Sequence, residues 1–119
     1  MINISSNNII TITRGDDISF TFEVNKGSNI CRDYHEFKDS DYVYVGIMEP
    51  NQCFENALIR KKLTINDLLQ DGKTMEVSIK GSDTEHLLPG VYYYQIKLFE
   101  SDSAKVTTIR NKTKFIIID

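Results

Sequence analysis

The chain has 119 residues, which is a common size for one domain and enough to bury a core without disulfides or metals. Its net charge of −3 argues against non-specific binding to nucleic acid, which requires clustered lysine and arginine. No apolar run approaches the roughly 20 residues needed to cross a bilayer, so we expect no membrane partner. We therefore predict a single domain over residues 1–119.

The first part of the chain predicts short strands separated by polar turns. Residues 8–13 and 17–24 alternate apolar and polar side chains with the period of two that is typical of a half-buried strand. Arg14-Gly15-Asp16 joins these strands as a tight turn. Residues 25–41 are polar and charged, and we expect a long loop. Residues 42–48 are apolar on both faces, which favours a central position in a sheet.

The middle of the chain continues this pattern with weaker signals. Residues 57–62 predict a strand whose three consecutive cations, Arg60 to Lys62, suit a sheet edge, where charge discourages pairing with other chains. Residues 65–69 indicate a helical turn. Residues 74–80 alternate again and predict a strand. Residues 82–85 carry the side chains of a helix N-terminus, so we expect a short helix there.

The last part of the chain begins at a sharp corner. Pro89 presets its φ near −65° and Gly90 tolerates positive φ, which together favour a turn. A strand follows over residues 91–99. Residues 105–110 and 113–118 predict the final two strands, hinged at Asn111-Lys112.

Seven or eight strands at this spacing, with almost no helical pattern, predict an all-β antiparallel sandwich. A shift of one residue would turn a whole strand outward, so the predicted core is testable strand by strand. The alternation places twelve side chains inward: Phe20, Phe22, Val43, Val45, Ile47, Val77, Ile79, Tyr92, Tyr94, Ile96, Leu98 and Ile117.

Residues that commonly carry chemistry are few, and their spacing is not that of known sites. Cys31-x3-His35 suggests two metal ligands, but no second pair at tight spacing accompanies it, and Cys53 is remote. Residues 1–8 lack a secretory signal, so we expect a reducing cytoplasm and buried or incidental free thiols. His35 and His86 lie in no recognised catalytic motif. We expect no catalytic residue, metal or cofactor; an enzyme would require a pocket that brings either histidine against a carboxylate.

Two short segments resemble functional motifs, but an ordinary turn and an ordinary surface loop account for them. Arg14-Gly15-Asp16 is an integrin ligand in extracellular proteins, but a tight turn with both charges in solvent accounts for it. The acids of the 25–41 loop lack the alternating spacing and the glycine of a calcium-binding loop, so we expect a solvated acidic loop. These acids are Asp33, Glu36, Asp39 and Asp41.

Several segments, taken in order, carry a family resemblance. They are residues 12–24 (ITRGDDISFTFEV), 43–48 (VYVGIM), 57–61 (ALIRK), 82–84 (SDT), 88–96 (LPGVYYYQI) and 113–118 (TKFIII). Together they span nearly the whole chain. The combination resembles the small immunoglobulin-like β-sandwich of tailed-phage virion proteins, notably the N-terminal domain of baseplate upper proteins.

The resemblance implies a non-catalytic structural or accessory virion protein of baseplate, neck or decoration type. Its partners would be other virion proteins and further copies of itself, with assembly in the cytoplasm of the bacterial host. The chain ends at Asp119, directly after the sandwich, so we expect a connector or decoration role more than direct host binding. The alternative is a carbohydrate- or peptide-binding β-sandwich module, which would show an exposed aromatic platform.

Contact with partners is predicted at exposed aromatics and at strand edges. Aromatic side chains are enriched at interface hot spots, although each tyrosine here has a core role as its alternative. Unpaired edges at residues 8–13, 57–62 or 113–118 would allow a neighbour's strand to add by main-chain hydrogen bonds. The candidate interface residues are Tyr42, Tyr44 and Tyr93.

Overall fold

A computed structural model describes residues 2–28 and 30–119, and it confirms the all-β class. Eight strands are present among these residues: β1 (Ile2–Ile4), β2 (Ile10–Thr13), β3 (Ile18–Glu23), β4 (Tyr42–Met48), β5 (Ile59–Thr64), β6 (Thr74–Ile79), β7 (Gly90–Glu100) and β8 (Lys105–Ile118). Short 3₁₀ turns cover Phe54–Asn56 and Ile65–Asp67, and a single-turn helix, α1, covers Gly81–Thr84. In the described ranges, no helix is long and apolar enough to span a membrane.

The strands form two sheets that enclose one core. The larger sheet has the order β1-β2-β8-β7-β4-β5 and curves into a half-barrel, and the smaller sheet pairs β3 with β6. All twelve side chains predicted to face inward are buried, and the most exposed of them, Tyr92, is only 8% exposed. The prediction of the core is therefore confirmed. It was possible from sequence because a period of two assigns the faces of each strand without knowledge of the neighbouring strands.

The expectation of a fully antiparallel arrangement is wrong at one pair of strands. β2 runs parallel to β8, from Ile10 opposite Phe115 to Thr13 opposite Ile118. No hairpin connects these two strands, so chain connectivity does not impose an antiparallel direction. The alternation of side chains is the same in both directions, and for that reason the sequence pattern did not reveal the difference.

The last strand also differs from its prediction. Instead of two strands hinged at Asn111-Lys112, β8 is continuous. Its register with β7 shifts where Tyr94 to Lys97 on β7 lie opposite Thr113 to Thr108 on β8. Three residue steps on β7 thus face five on β8, and the two extra residues of β8 are accommodated by shifts in register within a continuous strand.

Only one of the three predicted unpaired edges is an edge. β1, which was not predicted, pairs with β2, so residues 10–13 of the first predicted segment lie inside the sheet. Residues 113–118 lie between β2 and β7. β5 occupies the edge, as its three cations predicted, and β4 is an interior strand between β5 and β7, also as predicted.

Candidate functional site

The outer face of the six-stranded sheet carries a cluster of aromatic rings. Tyr42 and Tyr44 project from β4 away from the core, because the intervening Val43 is buried. Phe99 of β7 lies opposite Tyr42, and their rings stack with centroids 5.0 Å apart and planes 10° apart. Tyr44 contacts the Tyr42 and Phe99 rings edge-on at 5.5 and 5.7 Å. Such contacts hold the rings in fixed orientations on a half-exposed surface.

Cations from the neighbouring strands lie over these rings. The Arg60 guanidinium is 4.4 Å from the Tyr44 centroid, and the Lys62 ammonium is 4.4 Å from the Tyr42 centroid. Lys97 of β7 lies opposite Tyr44 in the register. The ion pairs found among the described residues involve other cations, so these three charges have no carboxylate partner there. We call this surface the aromatic–cation face; it consists of Tyr42, Tyr44, Arg60, Lys62, Lys97 and Phe99.

Phe54 extends the row of rings beyond Tyr44. The 3₁₀ turn after β4 places this ring over Gly46, where a Cβ atom would lie 2.6 Å from the ring. The Lys97 ammonium is 5.0 Å and the Arg60 guanidinium 5.8 Å from the Phe54 centroid. The sequence analysis did not identify Phe54. A glycine inside an otherwise apolar strand was the available signal, because such a glycine often marks close approach of another group.

Replacing Gly46 with alanine is expected to destabilise the protein by about 1–3 kcal/mol, because the new methyl group displaces the Phe54 ring. Urea unfolding monitored by circular dichroism measures the change. The Phe54→Ala background is the control, since it removes the ring that clashes. Adding Gly46→Ala to that background should cost less, since the remaining close neighbour is the Ala57 Cβ at 3.3 Å. An equal cost in both backgrounds would contradict the contact between Gly46 and Phe54.

Tyr93 faces outward but lies apart from the cluster. It pairs with Met48 and Lys114, whereas Phe99 on the same strand pairs with Tyr42. Six residue steps along β7 separate Tyr93 from Phe99, which is roughly 20 Å at the usual rise of a strand. The structure therefore brings Tyr42 and Tyr44 together and leaves Tyr93 half-buried at the other end of the sheet.

The 25–41 loop is held by a buried pair that the sequence analysis did not foresee. His35 Nε2 lies 2.8 Å from Asp41 Oδ2, and both side chains are at most 5% exposed. Asp41 also accepts hydrogen bonds from the Lys38 N–H and from the N–H and hydroxyl of Ser101. Burial disfavours the charged carboxylate, but these hydrogen bonds outweigh it and lower the pKa of Asp41 to about 2.

Asp41 is therefore buried, whereas the sequence predicted that all four acids of the loop would be solvated. Asp33, Glu36 and Asp39 are exposed as expected, whereas Asp41 is 3% exposed. The physical reason is that the loop folds back against the end of β7. Ser101 and the main chain there supply the donors that allow a carboxylate to be buried.

An enzyme would require a histidine against a carboxylate, and His35 and Asp41 form such a pair. The geometry of this pair favours a structural role. His35 Nδ1 lies 3.7 Å from Glu100 Oε1, so both ring nitrogens face carboxylates. The ring also packs edge-on against Phe37 at 4.8 Å. A pocket of about 360 Å³ lies beside it, lined mostly by charged side chains. His86 is exposed.

Arg14-Gly15-Asp16 forms the predicted tight turn, with Gly15 at a φ of 84°. The Arg14 side chain is not free in solvent as expected, because its guanidinium pairs with Asp119 at 2.7 Å and is two-thirds buried. Cys31 and Cys53 are exposed free thiols, which corresponds to the incidental alternative and not to the buried one. No group of three or more histidine, cysteine or acidic side chains within residues 2–28 and 30–119 is arranged to hold a metal ion.

The aromatic–cation face is the strongest candidate site on this chain. The polar groups around His35 are used to hold a loop, whereas Arg60, Lys62 and Lys97 combine uncompensated charge with adjacent rings. Rings and cations on an open sheet face are suited to contact with an anionic or amphipathic partner. Compared with known proteins, the chain matches no family model, no curated protein and no solved structure.

Proposed function

We propose that this chain is a non-catalytic structural or accessory virion protein of a tailed phage, of baseplate, neck or decoration type. It acts by binding other virion proteins, and further copies of itself, through the aromatic–cation face. The observation that carries the proposal is the cluster of packed rings beside three cations that have no carboxylate partner within residues 2–28 and 30–119. Aromatic and arginine side chains supply most of the binding energy at many protein interfaces.

The fold is consistent with the phage resemblance at a coarse level, since a curved sheet of six strands encloses a core with a second sheet. We propose that this arrangement is a variant of the immunoglobulin-like sandwich in which one pair of strands is parallel. The proposal includes no catalytic residue and no cofactor. It places the protein in the virion after assembly in the bacterial cytoplasm, with no nucleic acid or membrane as partner.

Purified particles of the phage that encodes the chain provide the test. Mass spectrometry should detect the chain in them, and amine-reactive cross-linking should join Lys62 and Lys97 to other polypeptides. Lys26 follows β3 and Lys73 precedes β6, the two strands of the smaller sheet, and these lysines are the matched controls, which should form cross-links mainly within the chain. Absence from particles of a protein that is abundant in infected cells would reject the assignment. Cross-links to partners through the control lysines alone would reject the aromatic–cation face as the binding surface.

The second candidate function is a carbohydrate-binding module, which the row of aromatic rings favours. Sugars stack on open ring faces, however, and Arg60 and Lys62 cover one face of Tyr44 and Tyr42. A glycan array separates the two functions. Saturable glycan binding that Tyr44→Ala abolishes and Tyr93→Ala preserves would replace the assembly proposal.

A further inference from the structure

A groove separates the two sheets where β5 faces β6. Among the named strands, β5 pairs only with β4, and β6 pairs only with β3, so each has an edge available on its other side. The segment after β5 covers the start of β6, where the Leu69 N–H donates to the Thr74 carbonyl at 2.8 Å. Beyond that point the groove is open, with a volume of about 470 Å³. Most of its lining residues are polar or charged, Asp67 and Glu76 among them, and the apolar Leu63 and Val77 are at most 6% exposed.

The charge on the β5 edge is distributed by the alternation of the strand. Arg60 and Lys62 project on the outer face, where aromatic rings are their partners among the described residues. Lys61 projects inward and its ammonium lies 2.7 Å from Asp83 Oδ2, so its charge is compensated within the chain. The two outward cations thus form no ion pair with any residue that the structure describes.

We propose that the β5 edge binds an extended acidic segment of a partner protein by β-strand addition. Main-chain hydrogen bonds along an unpaired edge supply affinity, and alternate side chains supply specificity. Outward side chains of the added strand would lie across from Arg60 and Lys62, where opposite charges stabilise cross-strand pairs. The side chains between them would point toward Leu63 and Val77 in the groove. The segment should therefore alternate acidic and apolar residues.

The charges of the edge also select against a second copy of β5. Pairing two copies of this strand would bring Arg60 and Lys62 close to the same cations of the other copy, and like charges across strands are destabilising. An inward-pointing charge such as Lys61 further discourages unspecific pairing of edges. Charge complementarity thus favours an acidic partner strand. The inference deepens the proposed function, on which it rests for the existence of the partner.

A direct binding experiment tests the charge requirement. The full chain is titrated into a fluorescein-labelled peptide in which glutamate and valine alternate, and into a matched peptide with lysine in place of glutamate. Fluorescence anisotropy should show saturable binding of the glutamate peptide alone. The Arg60→Ser/Lys62→Ser variant should bind it about tenfold or more weakly. The control variant Lys105→Ser/Lys114→Ser carries the same change in net charge on exposed positions of β8 and should bind normally.

A second measurement tests strand addition itself. N-methylation of alternate residues of the peptide removes its main-chain donors on one edge, so one of the two methylation patterns should abolish binding. Hydrogen exchange of residues 59–64 should slow when the peptide is bound. Three outcomes would overturn the inference. They are equal affinity for both peptides, unchanged affinity of the Arg60→Ser/Lys62→Ser variant, and binding that survives both methylation patterns. If the chain binds the peptide but is absent from phage particles, only the phage assignment is contradicted. If the chain is present in particles but does not bind the peptide, only strand addition is contradicted.

Discussion

Replacing Gly81 with alanine is expected to lower the free energy of unfolding by about 3 kcal/mol. A Cβ atom at Gly81 would overlap the main-chain carbonyl oxygen of Gly15, in the turn between β2 and β3. Because the clash is with main chain, no change of rotamer relieves it. Separating α1 from the turn would break the hydrogen bond from the Gly81 N–H to Asp17 Oδ1, at 2.6 Å, and the bond from the Gly15 N–H to Thr84 Oγ1, at 3.0 Å.

Urea unfolding at neutral pH, followed by circular dichroism, measures the effect of Gly81→Ala. Ser82→Ala is the matched control, because Ser82 is the next residue of α1 and is exposed. Its free energy of unfolding should stay within about 0.5 kcal/mol of the parent value. A Gly81→Ala variant as stable as the control would show that α1 and the turn are not in contact.

Replacing Asp41 with asparagine is expected to cost about 2–3 kcal/mol at neutral pH, because it removes the charge that accepts hydrogen bonds from His35, Lys38 and Ser101. The amide keeps the shape of the carboxylate, so the change reports on charge and hydrogen bonding more than on packing. The control is Asp39→Asn, which removes one negative charge from an exposed position of the same loop. Equal stability of the two variants would contradict the role of Asp41.

The contribution of Asp41 should also depend on pH. Folding lowers the pKa of Asp41 from its ordinary value of 3.8 to about 2, so the folded state favours the charged carboxylate. The resulting stability is fully present above about pH 4 and is lost as the pH falls through about 2. It amounts to about 2 kcal/mol, because one pKa unit corresponds to about 1.4 kcal/mol and Asp41 is buried. Urea unfolding from pH 7 to pH 2 should therefore show the gap between the parent protein and Asp41→Asn narrowing below pH 4. A constant gap would place the pKa of Asp41 near its ordinary value.

The candidate site was predicted in part. Tyr42 and Tyr44 were identified because residues on alternate positions of a strand share a face, which is a local property. Phe99 and Phe54 were not, because the contacts that place them beside these tyrosines join residues distant in the chain or depend on a turn. Tyr93 lies on the same outer face but apart from the cluster, since register between strands decides which residues of a face lie together.

The sequence by itself determined the all-β class, the inward face of every predicted core strand and the position of β5 at an edge. Those properties follow from periodicity and charge within single segments. Only the tertiary structure decided that β2 runs parallel to β8, that Asp41 is buried against His35, and that Gly46 lies beneath Phe54. The parallel pair depends on the order of the strands, whereas the other two depend on how the 25–41 loop and the turn after β4 fold, with Ser101 as a distant donor to Asp41. The burial of Asp41 depends on hydrogen-bond donors that include the distant Ser101, so no local sequence pattern predicts it.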